Sequence, residues 1–137
     1  MRLSTRSRYG ARMMLDLAEH YDQGPIPLGE IAKRQDISVK YLEQLIIPLK
    51  KSSFIRSVRG PKGGHMLTRP PEEISVGQIV TVLEGGTELT NCIGNPNECG
   101  RSSSCLTRCI WKDVSKVIYD QLHSITLSKI LEMEKSV

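Results

Sequence analysis

Aromatic residues are nearly absent from this 137-residue chain, which has one Phe, one Trp and four Tyr. Its core must therefore be built from Leu, Ile, Val and Met. Long apolar runs are missing too. None approaches the ~18 residues that a membrane-spanning helix needs, so no membrane partner is expected. Asp16 interrupts the only apolar run near the amino terminus, which leaves no signal-peptide core there. The Arg- and Ser-rich start, Met1 to Tyr9, is read instead as the cationic first helix of a folded cytoplasmic domain. No Ser/His/Asp or paired-carboxylate arrangement is visible, and His20, His65 and His123 are scattered, so nothing supports catalysis. Cysteine is absent from every position but four, and those four (Cys92, Cys99, Cys105 and Cys109) fall within eighteen residues.

What is present is unevenly spread. Residues 1–71 carry thirteen Lys+Arg against six Asp+Glu, while residues 72–137 carry six against nine. A basic half joined to a mildly acidic one suggests that only the first meets a polyanion. The two halves are taken as a polyanion-facing part, 1–71, and a second part, 72–137, that holds the cysteine segment (about 87–109).

A first helix is expected from Ser4 or Thr5, either of which can cap it, to Gly24-Pro25. Tyr9, Met13 and Leu17 give it an i+4 stripe. Arg2, Arg6, Arg8 and Arg12 crowd its N-terminal end, where cations oppose the helix dipole unless an anion lies near. A short helix is expected over Leu28–Arg34. Ser38 then caps a third, with Leu42, Leu45, Ile46 and Leu49 as its core stripe and Lys40, Glu43, Gln44 and Ile47 opposite. Pro48 predicts a kink or an early stop. Short helix, turn and amphipathic helix together read as a helix-turn-helix.

Two strands, Phe54–Arg59 and His65–Arg69, flank the turn Gly60-Pro61-Lys62-Gly63-Gly64. A hairpin directly after a helix-turn-helix is the wing of a winged helix. Arg56, Arg59, Lys62 and Arg69 cluster on it. The turn lacks the spacing of a nucleotide-phosphate loop, and no helix follows it. After a stiff Pro70–Glu73 connector, Ser75 caps a helix that ends at Gly85-Gly86. The Cys92–Cys99 stretch is Gly/Pro/Asn turn chemistry, hence a loop. A long helix is expected from about Cys105 to His123, with Ser102, Ser103 or Ser104 as its cap. Its apolar band of Leu106, Ile110, Val114, Val117, Ile118 and Leu122, with Trp111, is wide enough to imply burial on two sides, one of them in a second copy. Thr126 caps a last helix.

The clustered cysteines allow disulfides, a structural zinc site, an iron–sulfur cluster or a metal-free thiol switch. Disulfides suit secreted chains. Zinc sites usually contain a close C-x(2–4)-C pair, which only Cys105/Cys109 supplies. Thiolates serve zinc and iron–sulfur sites alike. Arg101 and Arg108 would favour thiolates in a switch.

Several stretches resemble the IscR-like iron–sulfur cluster regulators of the Rrf-two superfamily of bacterial winged-helix repressors. These are Met1-Arg-Leu-Ser, Arg8-Tyr9-Gly10, Tyr41-Leu-Glu-Gln-Leu45, Ser57-Val-Arg-Gly-Pro61 with Gly63-Gly64, and Cys92, Cys99 and Cys105-Leu-Thr followed by Trp111. The resemblance implies a homodimeric transcription regulator of mainly α fold with a β-hairpin wing and a long C-terminal dimerisation helix. It also implies that a cluster held by Cys92, Cys99 and Cys105 changes operator binding. Ser38, Lys40, Tyr41, Glu43 and Gln44 of the recognition helix, with Arg59 and Lys62 of the wing, are the expected contacts to double-stranded DNA. IscR-type 2Fe–2S sites add a histidine three residues past the third cysteine, where this chain has Arg108. NsrR-type 4Fe–4S sites take a carboxylate near the start of the partner chain, where this chain has Arg8. The cluster type stays open, and Cys109, one helical turn beyond Cys105, becomes a fourth candidate ligand. The alternatives are a zinc-structured or thiol-switch winged-helix repressor, or a small iron–sulfur electron-transfer protein.

Overall fold

A serine opens the first helix. In the computed structural model, which describes residues 1–134, the Ser4 side chain accepts from the Ser7 N–H and caps α1, Thr5–Glu19. The helix stops five residues before the expected Gly24-Pro25. His20 is its C-cap, and Asp22 adopts a left-handed φ of 73° in the turn that follows. α2 spans Leu28–Gln35 and ends on Asp36, also left-handed. Ser38 caps α3, Val39–Lys51, by accepting from the Tyr41 N–H.

Pro48 does not stop α3. It removes one backbone donor, but it lies in the last turn, and buried Leu49 just beyond it packs against the core. The helix therefore runs three residues past the proline.

The hairpin is shorter than its sequence signal: β1 is Ile55–Val58 and β2 is Gly64–Leu67, paired antiparallel with Ile55 opposite Leu67 and Val58 opposite Gly64. A second seam ties it to the body. Ile26 and His65 exchange backbone hydrogen bonds of 2.9 and 2.8 Å, which makes the segment before α2 a third rung beside the wing. Gly64 permits this approach, since a Cβ there would overlap the Ile26 carbonyl.

The Pro70–Glu73 connector is a turn of 3₁₀ helix over Pro71–Glu73, with Pro71 buried. α4, Val76–Glu84, begins with a reciprocal capping box between Ser75 and Gln78 and ends on Gly85 at φ 80°. The cysteine loop contains a four-residue helix, α5 (Asn91–Gly94), and a 3₁₀ turn at Pro96–Glu98. α6 covers Leu106–His123. None of the three serines caps it: Cys105 is the N-cap, without a side-chain cap bond, and the Ser102 hydroxyl instead donates to the Cys99 carbonyl. Thr126 does cap α7, Leu127–Glu134, accepting from Lys129 N–H.

One core runs through the molecule. Met13, Met14 and Leu17 of α1 meet Ile31 of α2, Leu42, Leu45 and Leu49 of α3, Ile55 of β1, Ile79 and Leu83 of α4, and Leu127 of α7. α4 is packed between α1 and α6. Gly10 of α1 lies against the Leu83 side chain, and Gly77 of α4 lies against the His123 ring, with no space for a Cβ at either place. α6 itself is barely buried.

Candidate nucleic-acid interface and cysteine segment

α3 and the wing share the basic half. The stripe Leu42, Leu45, Ile46 and Leu49 turns inward, so Ser38, Lys40, Glu43 and Gln44 are exposed on the opposite side. Tyr41 differs. It is half-buried, its hydroxyl shares a 3.1 Å hydrogen bond with Thr5 of α1, and its ring meets Tyr9 edge-on at 5.8 Å. On the wing, Arg59, Gly60 and Lys62 are exposed at the tip, which Gly63 N–H closes onto the Gly60 carbonyl at 2.9 Å. His65, one pair in from the turn end of the hairpin, bonds across it to Ser57 at 2.9 Å. Burial, with help from the charge of Lys50, holds its imidazole below its usual pKa.

α1 and α2 are joined by a buried carboxylate. Asp16 is 1% exposed. It accepts from Arg34 through Nη2 (2.7 Å) and Nε (3.0 Å) and from Gln35 Nε2 (2.9 Å). Burial pushes its carboxyl up in pKa. The bonds from Arg34 and Gln35, with the charges of Arg34 and His20, outweigh burial and hold it below the usual range. Sequence reading missed this role, although a carboxylate between Met14 and Leu17 on the apolar stripe was a signal. Two of the four clustered N-terminal arginines also find internal partners. Arg6 donates to the Leu83 carbonyl and Arg12 to Gln35. The dipole conflict there is thus partly met by carbonyls rather than by an outside anion. Arg8 and Arg12 flank the Tyr9 ring.

The four cysteines are all free. Cys92 is half-buried at the start of α5, with the Thr90 hydroxyl 3.1 Å from its sulfur. Its carbonyl accepts from Arg108 Nε and Nη2 at 3.2 and 3.1 Å. Arg108 therefore stitches α5 to the first turn of α6. Cys99 is exposed in the turn between them. Cys105 sits at the N-terminus of α6. The Thr107 hydroxyl, then the backbone N–H groups of Arg108 and Thr107 and the Arg101 charge, hold its thiol below the usual pKa. Cys109 is exposed, its thiol 3.9 Å from the Cys105 carbonyl. Four thiols, one of them made more acidic than an ordinary cysteine, are the right donor chemistry for zinc or an iron–sulfur cluster. They do not converge in this conformation. Among the described residues no three His, Cys, Asp or Glu side chains are close enough together to hold a metal.

α6 leaves its apolar face open. Among its described residues only Ser115 is buried, and it accepts from the Leu89 N–H at 2.8 Å. Leu106 is 84% and Val117 67% exposed, and Ile110, Trp111 and Val114 are exposed with them. No helix among the described residues is long and apolar enough to cross a membrane.

Comparison with known proteins brings these parts together. The family model Rrf2, described as an iron-dependent transcriptional regulator, matches residues 3–133. The HTH-type transcriptional regulator IscR of Sodalis glossinidius is 42% identical over 135 residues, covering 98% of this chain and 81% of the relative. The protein rrf2 of Nitratidesulfovibrio vulgaris is 44% identical over 131 residues, covering 96% and 87%. Among solved structures, T. potens IscR superposes with a TM-score of 0.79 at 40% identity, covering 98% of this chain and 88% of that one. CymR, the global cysteine regulator of B. subtilis, gives 0.80 at 31%, covering 97% and 98%. These relatives are regulators rather than enzymes, and their fold is the winged helix with a C-terminal helix described above. This chain belongs to the Rrf2 family of transcriptional regulators, within which it is IscR-like.

Proposed function

We propose that this regulator binds operator DNA in the cytoplasm as a homodimer, and that an iron–sulfur cluster on the cysteine segment sets how tightly it binds. Residues 1–71 form the DNA-binding part and residues 72–137 the sensing and pairing part. The N-terminal turns of α3 would enter the major groove with Ser38, Lys40, Glu43 and Gln44, positioned beside Tyr41. Arg59 and Lys62 would reach the minor groove or backbone from the wing. The exposed face of α6 would be covered by the same face of a second copy.

The observation that carries the sensing role is placement. Three free thiols, Cys92, Cys99 and Cys105, lie on the segment that links α4, which is packed against the DNA-binding helices, to α6, and the fourth, Cys109, lies in the first turns of α6, whose apolar face is exposed. Cys92, Cys99 and Cys105 are the proposed ligands. Cys109, at the same end of α6 as Cys105, completes a 2Fe–2S or 4Fe–4S site. When bound, such a cluster would supply a redox- and iron-dependent cross-link of this segment. The chain itself supplies thiolate stabilisation at Cys105, and Arg108 holds the Cys92 backbone against α6. The lowered pKa of Cys105 favours a second reading, a metal-free thiol switch.

Anaerobic reconstitution tests both. Iron, sulfide and the absorption spectrum are measured for wild type, Cys105→Ala, Cys109→Ala and Cys109→Ser, and operator affinity is measured for loaded and metal-free protein. Ligation by Cys109 predicts lowered iron and an altered spectrum in both of its variants. If both keep the wild-type spectrum while Cys105→Ala loses it, Cys109 is structural. A wild type that takes up no iron but changes affinity on thiol oxidation is a thiol switch.

A further inference from the structure

A single carboxylate oxygen gathers the start of the chain. Glu84 is the last residue of α4, directly before the Gly85-Gly86 pair that leads into the cysteine segment. Both glycines have positive φ, 80° and 134°, so the chain changes direction there. Glu84 Oε1 accepts from the Ser4 backbone N–H at 2.9 Å, from the Ser4 hydroxyl, and from the Ser7 hydroxyl at 2.6 Å. Ser7 is fully buried. Bonds from Ser4 and Ser7 hold the Glu84 carboxyl below its usual pKa, as expected where donors favour the charged form. Beside this latch, Arg6 Nε donates to the Leu83 carbonyl at 3.1 Å, and Gly10 lies directly against the Leu83 side chain.

The same turn of α1 faces the other way as well. Thr5, between the two serines, shares its hydroxyl hydrogen bond with Tyr41 of α3, and Tyr9 packs its ring on Tyr41. Residues 4–9 thus touch, on one side, the last residue of α4, two glycines ahead of the cysteine segment, and, on the other, the reading turns of α3. Hydrogen bonds from serine hydroxyls to a carboxylate are charge-assisted, so they are shorter and stronger than neutral ones. A displaced Glu84 would leave buried Ser7 without an acceptor.

We propose that the N-terminal turn of α1 relays the state of the cysteine segment to α3, with Glu84 as its positioning residue. The regulatory meaning of the relay rests on the sensor reading above, but the mechanical link does not. Contiguity alone is not coupling, so the link is tested by a double-mutant cycle.

Hydrogen–deuterium exchange is followed on the full metal-free chain. The variants are Glu84→Gln, Thr5→Val, the pair together, and Glu88→Gln as a nearby carboxylate control. Glu84→Gln should raise exchange about tenfold, the scale of one charge-assisted bond, at residues 5–8 and also at residues 41–45. In the Thr5→Val background the response at 41–45 should disappear while that at 5–8 remains. If residues 5–8 respond and 41–45 do not, or if Glu88→Gln does the same as Glu84→Gln, the relay is overturned. Should Glu84→Gln accelerate exchange throughout the chain, Ser7→Ala removes a single bond of the latch and is held to the same two criteria. A second arm measures operator affinity with and without the cluster. A wild type whose affinity ignores the cluster overturns the sensor reading alone, and exchange still decides the relay. Where wild type does respond, Glu84→Gln should bring the ratio of the two affinities near one, and an unchanged ratio overturns the relay.

Discussion

Replacing Asp16 with alanine removes the acceptor that joins α1 to α2. Three donated bonds are lost, two from Arg34 and one from Gln35. Removing one partner of a fully buried ion pair costs ~3–5 kcal/mol, because the other charge is left dry. Here that cost is smaller. Arg34 is 36% exposed and has Glu30 at 3.6 Å, so its guanidinium can rehydrate. The expected loss is about 2–3 kcal/mol, the range of one or two charge-assisted bonds. That corresponds to roughly 5–12 °C in melting temperature for a chain of this size. Urea unfolding followed by circular dichroism, at one fixed protein concentration, measures it. The pH dependence gives a second check. The folded pKa of Asp16 lies below its unfolded value of about 3.9. Its stabilisation is therefore complete above that value and is lost as pH falls through the folded pKa. The gap between wild type and Asp16→Ala should narrow below about pH 4. A loss under about 0.5 kcal/mol, or a gap that does not change with acid, would refute the account.

Other consequences follow from the same geometry. Gly64→Ala should drive the wing off Ile26 and lower operator affinity about tenfold, with helical circular dichroism retained. Glu43→Ala should widen the set of DNA sequences recovered by selection at equal or higher affinity, because Glu43 repels phosphates and can act only in discrimination, whereas Arg59→Ala should weaken specific sites by ~1–3 kcal/mol. Operator binding should fall steeply with salt, each phosphate contact adding ~0.9 to the log–log slope, and a flat dependence would place the DNA face elsewhere. Val117→Glu should yield a folded monomer in sedimentation if the α6 face pairs with a second copy.

Local signals carried much of the fold. Ser4, Ser38, Ser75 and Thr126 were readable as caps because a short hydroxyl side chain beside an apolar stripe has few other uses. The Gly-rich turn between two short strands marked the wing for the same kind of reason. Where local signals misled, a competing partner had won. Gly24-Pro25 marked the wrong end of α1, since the chain had already turned at His20. Ser102, Ser103 and Ser104 suited a cap, but the Ser102 hydroxyl was drawn to the Cys99 carbonyl one turn back. Asp16 had served only to break an apolar run. Its role depends on Arg34 and Gln35, and nothing within α1 announces them.

By itself, then, the sequence determined where the six longer helices lie, though not the short α5 or the 3₁₀ turns, where the hairpin turns, which half is basic and which residues can supply thiolates. Those properties depend on residues a few positions apart, whose spacing is set by helix and strand geometry. Tertiary structure alone decided the rest. Buried Leu49 carries α3 past Pro48, and Leu127 brings α7 back onto the core beside α1. Glu84 reaches Ser4 across eighty residues of chain. Close as they are in sequence, no three of the four thiols come together: Cys92 is in α5, Cys99 follows the 3₁₀ turn, and Cys105 and Cys109 stand at the start of α6. Such pairings are selected by packing and desolvation in three dimensions, which no periodicity along the chain encodes.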